Sequence, residues 1–127
     1  FSGSEVCKLE FGDYNLDCFI GTNLLFLERK KAGELWMNFF SNDWKRFESL
    51  LTKTARFKYK FIIVEGNLAD VLCSKPKLLG VSHEAMISKL VQIMLKFGVI
   101  IVFAQKRAKQ VGLSILKNVY REFSKNL

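Results

Sequence analysis

The residues best suited to chemistry are Asp13 and, after fourteen intervening residues, the run Glu28-Arg29-Lys30. An acid followed at a distance by Glu-x-Lys is the set that phosphodiester hydrolysis asks for. A hard divalent cation such as Mg²⁺ takes carboxylate oxygens, and two carboxylates from neighbouring strands can converge on one ion. In a strand, alternation sends Glu28 and Lys30 to one side and Arg29 to the other. The Arg29 carbonyl would then be a further ligand. Lys30 would orient or deprotonate the attacking water, while the metal acidifies that water and neutralises charge on the phosphate. The plainer alternative is a capped turn at Asp13 and a solvated charge run from Glu28 to Lys31, because such residues crowd protein surfaces.

Those residues need elements to hold them. Val6 to Phe11 alternates apolar and polar, a strand signal with one buried face. Gly12-Asp13 breaks it, and Gly21-Thr22-Asn23 reads as a turn. Leu24 to Leu27 is a short apolar run. The two runs predict a β-hairpin, with the charged triplet at or just past the end of its second strand. Residues 31–56 read as helical, interrupted by cap chemistry at Ser41-Asn42-Asp43. Phe61 to Val64 is apolar on both faces, as in a central strand covered from both sides. Ser74 to Gly80 is a loop. Ser82 caps a helix from His83 to Phe97, buried through Met86, Ile87, Leu90, Val91 and Met94. Val99 to Ala104 reads as a second buried strand, and Arg107 to Ser124 as a closing helix with Val111, Ile115, Val119 and Phe123 in one stripe. Strand, helix, strand, helix argues for parallel pairing by crossover. The fold class expected is α/β, with a mixed central sheet and helices on both faces.

The order of these features resembles the XPF-type nuclease domain. Gly12-Asp13-Tyr14, then Leu27-Glu28-Arg29-Lys30, then Glu34-Leu35 is similar to its signature of Gly-Asp, a hairpin, Glu-Arg-Lys, three residues and then Asp. Trp44-Lys45-Arg46-Phe47-Glu48 resembles the segment on its next helix, and Phe61 to Gly66 its apolar strand ending in Glu-Gly. The resemblance implies a restriction-endonuclease-like, PD-(D/E)XK core. It implies that Asp13 and Glu28 bind Mg²⁺ or Mn²⁺, that Lys30 is the catalytic lysine, and that Arg29 belongs to the site. Glu34 stands where the family has Asp, and Glu65 would orient a ligand. The implied activity is metal-dependent hydrolysis of DNA, with flap or branched DNA as the substrate class. The alternative within the family is an inactive domain kept for DNA binding or dimerisation. Two family features are not in this sequence: a leading Asp-x-Arg-Glu strand, and a helix-hairpin-helix module. Residues 1–127 are therefore expected to form one nuclease domain without that first strand.

The bulk numbers agree with a nucleic-acid partner. Formal net charge is +8. It is concentrated late: residues 1–60 hold ten Lys/Arg against eight Asp/Glu, and residues 61–127 ten against four. Lys45 and Arg46 on one helix, and Lys106 and Arg107 opening another, are the expected phosphate contacts, sequence-independent in kind. Lys53, Arg56, Lys58 and Lys60 extend the basic stretch. The Trp36, Phe39, Phe40, Trp44 and Phe47 cluster is expected in the core. Cys7, Cys18 and Cys73 form no zinc pattern with His83; reduced, buried thiols are expected. Leu113, Leu116 and Tyr120 are surplus apolar positions that would suit a homodimer. No segment reads as a secretory signal or a membrane span. The expected compartment is the cytoplasm, or the nucleus in a eukaryote.

Overall fold

The computed structural model describes residues 24–125 and, before them, two short strand segments. In chain order the elements are β1 (Cys7–Lys8), β2 (Tyr14–Asn15), β3 (Leu25–Lys31), α1 (Glu34–Phe40), α2 (Trp44–Lys53), β4 (Tyr59–Glu65), α3 (Leu68–Cys73), α4 (His83–Phe97), β5 (Ile100–Phe103) and α5 (Ala108–Lys125). Turns of 3-10 helix cover Thr54–Arg56 and Gln105–Arg107. The strands lie in one mixed sheet in chain order. β1 pairs with β2 and β2 with β3, both antiparallel. β3, β4 and β5 run parallel, joined by helical crossovers.

Alternation along β4 divides the interior in two. Ile62 and Val64 face one core with Leu35, Trp36 and Phe39 of α1, Phe47 and Leu51 of α2, and Met86, Leu90 and Ile93 of α4. Ile63 faces the other, with Leu25 and Leu27 of β3 and Ala108, Leu116 and Val119 of α5. Helices therefore cover both faces, as the apolar run at Phe61 to Val64 requires. The aromatic cluster of α1 and α2 is core: Trp36 and Phe47 are fully buried and Phe39 nearly so. The Trp36 indole donates to the Val71 carbonyl at 2.7 Å, tying α1 to α3.

The charged triplet does lie at the end of β3, as expected, and it is part of the ladder with β4, through Arg29↔Ile63, Lys30↔Val64 and Lys31↔Glu65. Charged side chains are tolerated there because the strand end lies at the rim of the sheet. Several expectations change. β2 comes between β1 and β3, pairing Tyr14 with Leu27, where a simple hairpin was expected. The helical stretch 31–56 resolves into α1, α2 and a 3-10 turn. β5 borders the described sheet, and Ile100 and Phe103 are exposed. On α4 the buried stripe is Met86, Leu90 and Ile93, while Ile87, Val91 and Met94 are exposed. Leu116 is fully buried, so of the surplus apolar residues expected on α5 only Leu113 is strongly exposed. Cys73 is exposed and free, against the expectation of burial. No described helix is long and apolar enough to cross a membrane.

Candidate active site

Glu28 and Lys30 occupy alternate positions near the C-terminal end of β3, so both project from the α1–α2 side of the sheet. Their side chains are each 12% exposed and approach to 3.8 Å. The Lys30 ammonium also lies 5.2 Å from the centre of the buried Phe47 ring, a cation–π contact that limits where the lysine can go. The pair is thus held on a rigid strand against a packed aromatic wall, with its polar ends at the rim.

Asp43 and Arg46 stand beside this pair at the start of α2. Asp43 occupies the N-cap position, yet its carboxylate makes no capping bond. It accepts from Arg46 at 2.7 and 3.0 Å and from Asn38 at 2.7 Å. Those bonds, Arg46 first, hold the carboxyl at about 2 against its usual 3.8. Asp43 in turn pushes the Arg46 guanidinium up. The charges of Lys30 and Glu28 reach this pair, Lys30 acting on Asp43 and Glu28 on Arg46. Asn38 is buried, and its carbonyl oxygen has no partner among the described residues.

Arg29 points to the opposite face. Its Nε and Nη2 donate to the Glu65 carboxylate at 3.2 and 2.6 Å. Glu65 therefore sits on the α5 side of the sheet, away from Glu28 and Lys30. Glu34 is exposed on the first turn of α1, where its carboxylate accepts from the Lys31 backbone N–H at 2.9 Å and fastens the exit of β3. Lys45 is exposed on α2. Lys106 and Arg107 are exposed in the 3-10 turn ahead of α5. They line a cavity of about 770 Å³ with Lys31, Glu65, Gly66, Asn67, Asp70 and Gln105. Asp13 lies outside the described residues.

The structure thus brings Glu28, Lys30 and Arg46 together and puts Arg29 with Glu65 behind them. Sequence reasoning missed Asn38 and the role of Asp43. The Asp-x-x-Arg spacing of Asp43 and Arg46, one helical turn apart, was the available signal. As for a metal, no group of three or more His, Cys, Asp or Glu occurs among the described residues. Glu28 and the backbone carbonyl of Arg29 are the oxygen donors that β3 supplies, a type of donor that suits a hard divalent ion.

A mixed β-sheet covered by helices on both faces, with an acid–lysine pair at the end of a parallel strand, defines an α/β domain. The family model of the ERCC4 domain matches residues 3–113, and the chain belongs to that family. Among solved structures it is similar to XPF from Aeropyrum pernix, with a TM-score of 0.58 and 21% identity over 89% of this chain and 46% of that one. It is also similar to XPF from Aeropyrum pernix in complex with DNA, with a TM-score of 0.59 and 21% identity over 94% of this chain and 52% of that one. The chain spans about half the length of these structures, and at this identity the likeness is one of fold. No curated protein matches.

Proposed function

We propose that this domain is a metal-dependent DNA endonuclease of restriction-endonuclease-like, PD-(D/E)XK type, acting on flap or branched DNA. The observation that carries the reading is the Glu28–Lys30 pair, largely sheltered and 3.8 Å apart on one face of a strand end, in a chain of the ERCC4 family. Glu28, with Asp13, would hold Mg²⁺ or Mn²⁺. The ion would supply Lewis acidity at the phosphate and a more acidic bound water. Lys30, confined by Phe47 and Glu28, would orient the attacking water. Arg46, pre-aligned by Asp43 and 61% exposed, would take a non-bridging phosphate oxygen, for which its planar fork is suited. Lys45 would contact the backbone further along the same helix. A second copy of the chain is the proposed protein partner, through the exposed apolar face of α4 and β5.

The test is cleavage of flap, splayed-arm and plain duplex DNA with Mg²⁺ or Mn²⁺. The variants are Asp13→Asn, Glu28→Gln and Lys30→Ala, each checked for folding by circular dichroism. Metal-dependent cleavage should fall on the order of 10²-fold or more in each. Flap DNA should be cut in preference to duplex. Binding without cleavage by the wild type under either metal would leave the second family reading, a DNA-binding or dimerisation module.

A further inference from the structure

The cavity on the α5 side of the sheet belongs to no part of the machinery above. It opens beyond the C-terminal ends of β3, β4 and β5 and measures about 770 Å³. Its two carboxylates are already engaged. Glu65 accepts two bonds from Arg29. Asp70 accepts from the Asn67 N–H at 2.8 Å and closes a capping box at the start of α3. Lys31, Lys106 and Arg107 also line it, and none of the three has an ion-pair partner among the described residues. Gln105 has φ of 52°, a left-handed conformation that a non-glycine residue adopts at a cost. The residue after it, Lys106, lines the same cavity.

Glu65 is neutralised by Arg29, so three such cations face only the charge of Asp70, and the concave space is net positive and favours an anion. We propose that this cavity binds a phosphate group of a nucleic-acid strand, at a site separate from Glu28 and Lys30. Lys31, Lys106 and Arg107 supply the charge, and the side-chain amides of Asn67 and Gln105 supply neutral donors. Lys30 and Lys31 are consecutive in β3 and point to opposite faces, so the two sites stand back to back at one strand end. This deepens the proposed nucleic-acid function and rests on it for the identity of the ligand.

The experiment measures oligonucleotide affinity against salt for the chain and three variants. The first carries Lys31→Ala, Lys106→Ala and Arg107→Ala. The second, Lys117→Ala with Arg121→Ala, removes charge from the exposed face of α5 away from the cavity. The third is Lys30→Ala. Amide resonances are followed separately while inorganic phosphate is added. In the first variant affinity should fall about tenfold or more, and the salt slope should flatten by about one for each phosphate that is no longer neutralised. The second variant should keep the wild-type slope. Lys30→Ala should keep most of the affinity even where cleavage is gone, which separates this site from the catalytic reading. An unchanged slope in the first variant overturns the proposal. Phosphate-induced shifts at Asn67 and Gln105 with no change in oligonucleotide binding would also overturn it, and would assign the cavity to a free phosphate.

Discussion

At the scale of single residues, Asp43 lies between Arg46 and Asn38 and accepts hydrogen bonds from both. From sequence, Asp43 reads as a helix cap. A cap and an i,i+3 ion pair draw on the same carboxylate, and here the charged partner wins, because hydrogen bonds to an ionised donor are the stronger ones. Its consequence is a pH dependence. The folded carboxyl titrates at about 2 against an ordinary 3.8, lowered first by Arg46 and then by Asn38. A depressed folded value means stability that is complete above the ordinary value and lost as pH falls through the folded one. Thermal melts of wild type and Asp43→Asn should therefore differ by a constant amount above pH 3.8 and converge as pH approaches 2. A gap that is undiminished at pH 2 would show that the Asn substitution acts through something other than this charge. Glu28, Arg29 and Lys30 were legible because alternation in a strand dictates which side chains share a face. That Arg29 would find Glu65 was not legible, since the partner is 36 residues away and depends on the register of β3 with β4.

Elements were legible where local signals are strong. α4 runs from His83 to Phe97 as expected, because Ser82 accepts from the Ala85 N–H and Gly98 takes the left-handed cap with φ of 65°. α3 was missed, although Asn67 and Asp70 form a capping box whose spacing is visible in the sequence. Its six residues are too few to show a helical period. On α4, Met86 and Leu90 are buried as expected, but Ile93 completes the buried stripe in place of Ile87, Val91 and Met94. Ile87, Val91 and Met94 are as apolar as the buried set, and only packing against the sheet decides between them. The junction between β4 and α3 depends on Gly66. It has φ of 149°, and a Cβ placed there would lie 3.1 Å from the Cβ atoms of both Ala32 and Asp70. Ala32 leads from β3 into α1, so the glycine lets two strand exits pass closely. Gly66→Ala should cost about 1–3 kcal/mol through backbone strain, read as a lower denaturant midpoint with an unchanged slope. A midpoint equal to wild type would mean that this junction relaxes freely. The same substitution at Gly80, where a Cβ meets nothing within 4 Å, is the control.

At the scale of the whole molecule, the surface divides its labour. Basic residues gather at the strand ends and along α2, whereas α4 and β5 expose an apolar face. Ile87 is 39% exposed, Val91 44%, Met94 37% and Leu95 81%; on β5, Ile100 is 54% and Phe103 37%. Scattered exposed apolar residues need no explanation, but a helical stripe beside the border of a described sheet is what interfaces use. The outer edge of β5, which pairs with no other strand among the described residues, adds backbone groups to the same region. α4 supplies Ile87, Val91 and Met94 at helical spacing, so two copies meeting by twofold symmetry would lay one stripe against the other. A stable contact of this kind covers roughly 800 Å² on each partner, more than the stripe alone provides, which brings Phe103 of β5, on the same side of the sheet as α4, into it. Sedimentation over a range of concentrations should find a dimer for the wild type. In the double variant Ile87→Glu with Val91→Glu, two carboxylates would be buried unpaired at the centre of the contact, and the chain should sediment as a monomer. Because both side chains face solvent in the single copy, surface substitutions there should move its stability by no more than about 0.5 kcal/mol each. The circular dichroism spectrum should not change. A wild type that sediments as a monomer at every concentration removes the second copy as the partner of this face. A dimer that survives the double variant places the contact elsewhere, with Leu113 on α5 as the next position to change.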